Sequence, residues 1–183
     1  GLLFLFSASL GSAHAWSVNT NQSGVQLNWP DGQVGWSLNA TGNHALGEPT
    51  LQSAMEEAAG QWNGIEDSTI ELQYLGPTTI AATDYTDNQN VIYFEDDWEL
   101  DPSLLAVTYV WSLEDGSIMA FDMAVNTSDH AWGTSGAADV NDLHNTVTHE
   151  FGHAVGLAHS DISDASMYES THEGETTKRD INT

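Results

Sequence analysis

His149-Glu150-Phe151-Gly152-His153-Ala154-Val155-Gly156-Leu157-Ala158-His159 is the most informative run in the chain. His149 and His153 are four positions apart, so on a helix both imidazoles leave one face within reach of a single ion. Gly156, free of the backbone limits a Cβ imposes, permits the sharp turn that brings His159 back as a third ligand. Three protein ligands leave one tetrahedral position open, which marks a catalytic zinc and not a structural one. Such an ion lowers the pKa of a bound water from 15.7 toward roughly 7, and Glu150 is placed to take that proton. Once protonated, the same carboxyl can pass the proton to a departing amine while zinc stabilises the oxyanion. A bare His-Glu-x-x-His is only moderately specific. Adding Gly156 and His159 lowers the chance expectation to on the order of one in 10⁵ chains of this size.

Outward from this run, the pattern predicts a long helix capped at Asp139 or Asn141, carrying Leu143, Val147, Phe151 and Val155 on its apolar face and broken by Gly156. Upstream, Val34 to Leu38 alternates as a first strand. Pro49 suits the first turn of a helix whose Leu51, Met55, Ala58, Ala59 and Trp62 share a face before Gly64. Further strands are predicted at Thr69 to Leu75, stopped by Gly76-Pro77, and at Asn90 to Glu95, where Val91-Ile92-Tyr93-Phe94 is apolar enough for a central position. Leu104 to Trp111 and Ser117 to Asn126 flank Glu114-Asp115-Gly116, a hairpin signal. The fold class is therefore α/β, with a mixed, twisted five-stranded sheet, a backing helix and a helix that carries the histidines.

The length suits one domain with its own core, and the hydrophobic fraction of 40% with seven Trp argues against disorder. Acidic residues number 27 against two basic ones, Lys178 and Arg179, for a formal charge of -25. Nucleic acid and anionic membranes are poor partners for such a surface. Cysteine is absent, which excludes disulfides and thiolate zinc sites. Gly1 to Leu10 is apolar but too short to span a bilayer, and Ala13-His14-Ala15 offers a small-x-small cleavage pattern. Residues 1–15 are thus expected to be a signal peptide without its basic n-region, residues 16–31 an N-terminal extension, and residues 32–183 the catalytic domain. A secreted location, extracellular or periplasmic, follows as the expectation.

The eleven-residue run resembles that of metzincins. Ser160 after the third histidine and Ser166-Met167-Tyr168 are similar to the matrixin branch, the matrix metalloproteinases and their bacterial relatives. Astacins and serralysins place a Tyr two residues after the Met, where this chain has Glu169. The resemblance implies a secreted zinc endopeptidase with one catalytic zinc on His149, His153 and His159, Glu150 as general base, and Met167 in a Met-turn beneath the site. It also implies that Leu105 and Ala106 belong to an edge strand that pairs with an extended protein or peptide substrate. A second zinc is not expected, because Trp111 to Gly116 is short and lacks His-x-Asp ligands. Asp84, Asp87 and Asn88, or Glu95, Asp96 and Asp97, could hold Ca2+, although no twelve-residue calcium loop is present. Few residues follow Met167, so the C-terminal helix of the family is expected to be incomplete.

His144 falls about 140° around the helix from His149 and is expected to face away from the metal. His44, His130 and His172 sit in polar stretches without ligand partners at useful spacing. The chain is expected to be a monomer acting on protein or peptide. Two alternatives stay open: a metal-binding module without catalysis, which would not need Glu150, and a zinc hydrolase of a non-peptide amide.

Overall fold

Side chains alternate along strands and recur every third or fourth residue on helices, and both periods are visible in the architecture. The computed structural model describes residues 17–181, so the expected signal peptide lies outside the described residues. In chain order the elements are β1 (Ser17–Val18), β2 (Gln33–Leu38), α1 (Glu48–Asn63), β3 (Glu71–Pro77), β4 (Val91–Glu95), β5 (Ala106–Ser112), β6 (Ile118–Asn126), β7 (Trp132–Gly133), β8 (Asn141–Asp142), α2 (Leu143–Ala154), β9 (Leu157–Ala158) and a 3-10 turn at Thr177–Arg179.

The main sheet has five strands in the order β3-β2-β4-β6-β5. Strands β3, β2, β4 and β6 run parallel, and β5 closes one edge antiparallel to β6. This is the mixed five-stranded sheet with two helices that the patterning predicts. Both helices pack on one face, where Val34, Trp36 and Leu38 of β2 meet Leu51, Met55 and Trp62 of α1 and Leu143, Val147 and Phe151 of α2. Phe151 lies edge-on to Trp36 and Phe121, with ring centroids 5.5 and 6.3 Å apart, and so fixes the rotation of α2 on the sheet. Burying that ring contributes about 2–3 kcal/mol. Trp62 adds a cross-helix tie, its indole N–H donating to the Thr148 carbonyl at 2.9 Å. The opposite face carries a smaller cluster of Val91, Tyr93 and Ala124 under Ile80, Trp98 and Tyr109. Strand β4 is therefore covered on both sides, which accounts for its unbroken apolar run.

Three of the differences from the predicted boundaries have a visible cause. Gly76-Pro77 does not stop β3, which runs on to Pro77. β3 is an edge strand, where a residue without an N–H is tolerated, and Gly76 at φ +115° takes up a register shift opposite Trp36 and Leu38. β5 begins at Ala106, after Leu104 has closed a turn onto the Asp101 carbonyl. The cap of α2 is neither Asp139 nor Asn141 but Asp142, whose carboxylate accepts from the Asn145 N–H at 2.9 Å. Pairing of β8 with β7 holds Asn141 and Asp142 extended, which delays the helix.

The hairpin between β5 and β6 turns at Gly116, φ +88°, with the Leu113 N–H donating to the Ser117 carbonyl at 2.9 Å. Residues of the expected N-terminal extension pack onto α2: β1 pairs antiparallel with β9, and Trp29 donates to the Ala154 carbonyl at 2.8 Å. Among the described residues, no helix is long and apolar enough to cross a membrane.

Candidate active site

Helix α2 and the turn after it assemble the histidines. His149 and His153 leave one face of α2, one turn apart. The helix ends at Val155, and Gly156 at φ +97° reverses the chain so that β9 delivers His159. A Cβ at Gly156 would lie 2.9 Å from the Leu27 carbonyl oxygen, so both the angle and the space require glycine. One ligand atom from each of His149, His153 and His159 lies within 4.8 Å of the others, and among the described residues this is the one such cluster of three.

The nitrogens are oriented from behind. His149 Nδ1 lies 2.8 Å from the Ser166 carbonyl and His153 Nδ1 lies 2.9 Å from the Leu157 carbonyl. A carbonyl only accepts, so each Nδ1 carries the hydrogen and each Nε2 keeps its lone pair for an ion. His153 Nε2 is 3.2 Å from His159 Nε2, close to the separation of about 3.3 Å for two nitrogens bound to one tetrahedral zinc. Burial holds His149 well below the usual imidazole range and brings His153 and His159 down to about 4, so all three are neutral at pH 7. The donor set therefore fits zinc in charge, with the tautomer set for His149 and His153 and the spacing met by His153 and His159.

Glu150 is buried beside the cluster, and burial raises its pKa. Its Oε2 accepts from the Thr108 hydroxyl of β5 at 2.6 Å, which aims the carboxylate and partly offsets that rise. No sequence motif singles out Thr108. The available signal is its inward position between Ala106 and Val110 on an alternating strand.

Met167 is 1% exposed and packs under α2 at Gly152. A Cβ at Gly152 would stand 2.1 Å from the Met167 sulfur and 2.9 Å from the Trp62 ring, so this glycine of the motif makes room for the methionine. The Ser160 N–H donates to the Met167 carbonyl at 2.8 Å, which ties the turn at Met167 to the residue after His159.

Ala106 opens the edge strand β5 and Leu105, expected in the strand, lies one residue before it; both line a cavity of about 760 Å³ that also contains the three histidines and Glu150. Glu169 to Thr171 and Lys178 form another part of its wall. Both basic residues of the chain bind this wall to α2. The Lys178 N–H donates to Asn145 Oδ1 at 2.7 Å, and its ammonium donates to the Tyr168 and Ser170 carbonyls. Arg179 pairs with Asp142 and donates to the Thr134 carbonyl at 2.6 Å. Neither cation belongs to a motif, and their rarity is the one signal of these roles in the sequence.

His144 faces α1 instead, with Nδ1 3.5 Å from the Glu57 carboxylate. His44, His130 and His172 are not part of the three-histidine cluster. The acidic stretches do not form a ligand cluster either: Asp84 accepts from Thr86, and Asp96 accepts from Asn43 N–H and Thr127, each side-chain bond being 2.6 Å.

No curated protein matches the sequence. The model of one family, described as matrixin, matches residues 28–183, from just before β2 through the histidine helix and the methionine turn. The chain belongs to the matrixin family of metzincin metallopeptidases.

Proposed function

We propose that this metallopeptidase is a secreted zinc endopeptidase that cuts extended segments of proteins, with Glu150 as its general base. The observation that carries the reading is the Thr108-held carboxylate of Glu150 beside three converging neutral histidines in one open cavity. Zinc bound by His149, His153 and His159 supplies a Lewis acid that acidifies water and polarises a carbonyl. Glu150 removes the proton from the attacking water and returns it to the leaving amine. Thr108 keeps the carboxylate aimed, and the raised proton affinity of a buried carboxyl strengthens it as a base. The free edge of β5 offers backbone groups to an extended peptide, which favours unfolded or loop segments over folded ones. Secretion rests on the apolar run and small-x-small pattern of residues 1–15.

The test is hydrolysis of an unstructured protein by the full chain, before and after chelation and after return of zinc. Activity should vanish on chelation and reappear with zinc. Cleavage that survives complete metal removal would refute the mechanism, and zinc binding without any peptide cleavage would favour the metal-binding alternative.

A further inference from the structure

The chain has two basic residues against 27 acidic ones, and one of the two lies in the wall of the catalytic cavity. Lys178 is 3% exposed. Its ammonium gives two of its three N–H bonds to the carbonyls of Tyr168 and Ser170, the wall residues themselves. No carboxylate of the described residues lies within 4 Å of it, since the ion pairs found are His144–Glu57, His172–Glu175 and Arg179–Asp142. Glu175 is its strongest acidic influence, followed by Glu150. The Glu175 carboxylate is already engaged by Thr171, Thr177 and the His172 N–H. A buried cation with a donor to spare calls for an anion.

A second polar group lining the same cavity lacks a partner. Thr146, one turn before Glu150 on α2, lines the cavity, is 5% exposed, and its buried hydroxyl has no hydrogen-bond partner. Thr146, with no partner, and Lys178, with one N–H beyond its two bonds, thus line one cavity, a donor-acceptor and a donor, and a carboxylate can use both.

We propose that Lys178 is a specificity-determining residue that selects substrates with an acidic side chain at the position after the scissile bond. The inference rests on the peptidase reading above. On this proposal a peptide paired with β5 and reacting beside His149 and Glu150 places that side chain in the part of the cavity lined by Thr146, Ser170, Thr171 and Lys178. The net charge of -25 repels acidic peptides at long range, so a preference for a carboxylate at one position cannot come from the general field of the protein. It requires a local cation.

The test is kcat/KM for matched peptides that differ only by Glu or Gln at the residue after the cleaved bond, with a Leu peptide as third arm. The wild-type enzyme should prefer Glu over Gln by about tenfold or more, the range for a charge-assisted hydrogen bond in a desolvated pocket. Lys178→Met should bring the two within about twofold of each other, and Lys178→Arg should keep the order. Equal rates for Glu and Gln in the wild-type enzyme, or a faster Leu peptide, overturn the proposal without any variant, so a misfolded Lys178→Met cannot obscure the answer. Retention of the Glu preference in a folded Lys178→Met also overturns it. Failure of the zinc-loaded enzyme to cut any peptide refutes the peptidase reading itself, a distinct result.

Discussion

Replacing Gly152 by Ala tests how the methionine turn supports the metal helix. The new methyl would stand 2.1 Å from the Met167 sulfur and 2.9 Å from both the Met167 methyl and the Trp62 ring, against an ordinary contact of about 3.5–4.0 Å. Something must move by roughly 1.5 Å, and Met167 is 1% exposed with Trp62 anchored to the Thr148 carbonyl. Overpacking of this kind costs about 1–3 kcal/mol and occasionally more, while the better helix propensity of Ala returns about 1 kcal/mol. A net loss of up to about 2 kcal/mol is expected, lowering Tm by up to about 4–8 °C in a domain of this size. Met167→Ala alone leaves a cavity and should cost about 2–5 kcal/mol. In the double variant the methyl introduced by Gly152→Ala enters that space, so the combined loss should fall short of the sum by at least about 1 kcal/mol. Urea unfolding of the four proteins measures this directly. Additive losses, or an unchanged Gly152→Ala, would show that Met167 does not bear on α2 at Gly152.

Thr108→Val removes the hydroxyl that aims Glu150 while keeping the side-chain volume, so kcat should fall by about tenfold with zinc content unchanged; equal kcat would exclude an orienting role. Gly156→Ala forces a left-handed angle on a residue with a Cβ and presses it onto the Leu27 carbonyl, so zinc affinity, read by competition with a chelator, should drop by about tenfold or more as His159 shifts. Asp142 bears on stability against pH. Burial would raise its carboxyl, but Arg179 and the N–H groups of Asn145 and Gly136 outweigh burial and hold it below the usual carboxylate range. A depressed carboxyl pKa stabilises the fold above the unfolded value near 3.8, and that contribution is lost as pH falls through the folded pKa. Asp142→Asn should therefore lower stability by about 1–2 kcal/mol at pH 7, and the gap from wild type should close as pH falls below 3.8; a gap independent of pH would remove the ion pair from the account.

Local patterns make much of the fold readable. The face shared by Leu51, Met55, Ala58 and Trp62 and the alternation of Val34, Trp36 and Leu38 are properties of consecutive residues, and so is the placement of His149 and His153. What local patterns do not carry depends on distant partners. Asp142 caps α2 because β7, earlier in the chain, holds it extended. Pro77 stays in a strand because β3 has a neighbour on one side only. Thr108 reaches Glu150 across 42 positions, and Lys178 reaches Asn145 across 33. In the sequence Gly152 is one position of a metal motif, whereas its structural reason is the sulfur of Met167 beneath it.

Glu150→Gln, assayed in parallel for bound zinc and for peptide turnover, tests the central claim most directly. The histidines and their carbonyl partners are untouched, so the variant should hold one zinc per chain, while turnover should fall by about 10²–10⁴-fold for loss of the general base. A zinc-loaded Glu150→Gln that cleaves at the wild-type rate would contradict the account.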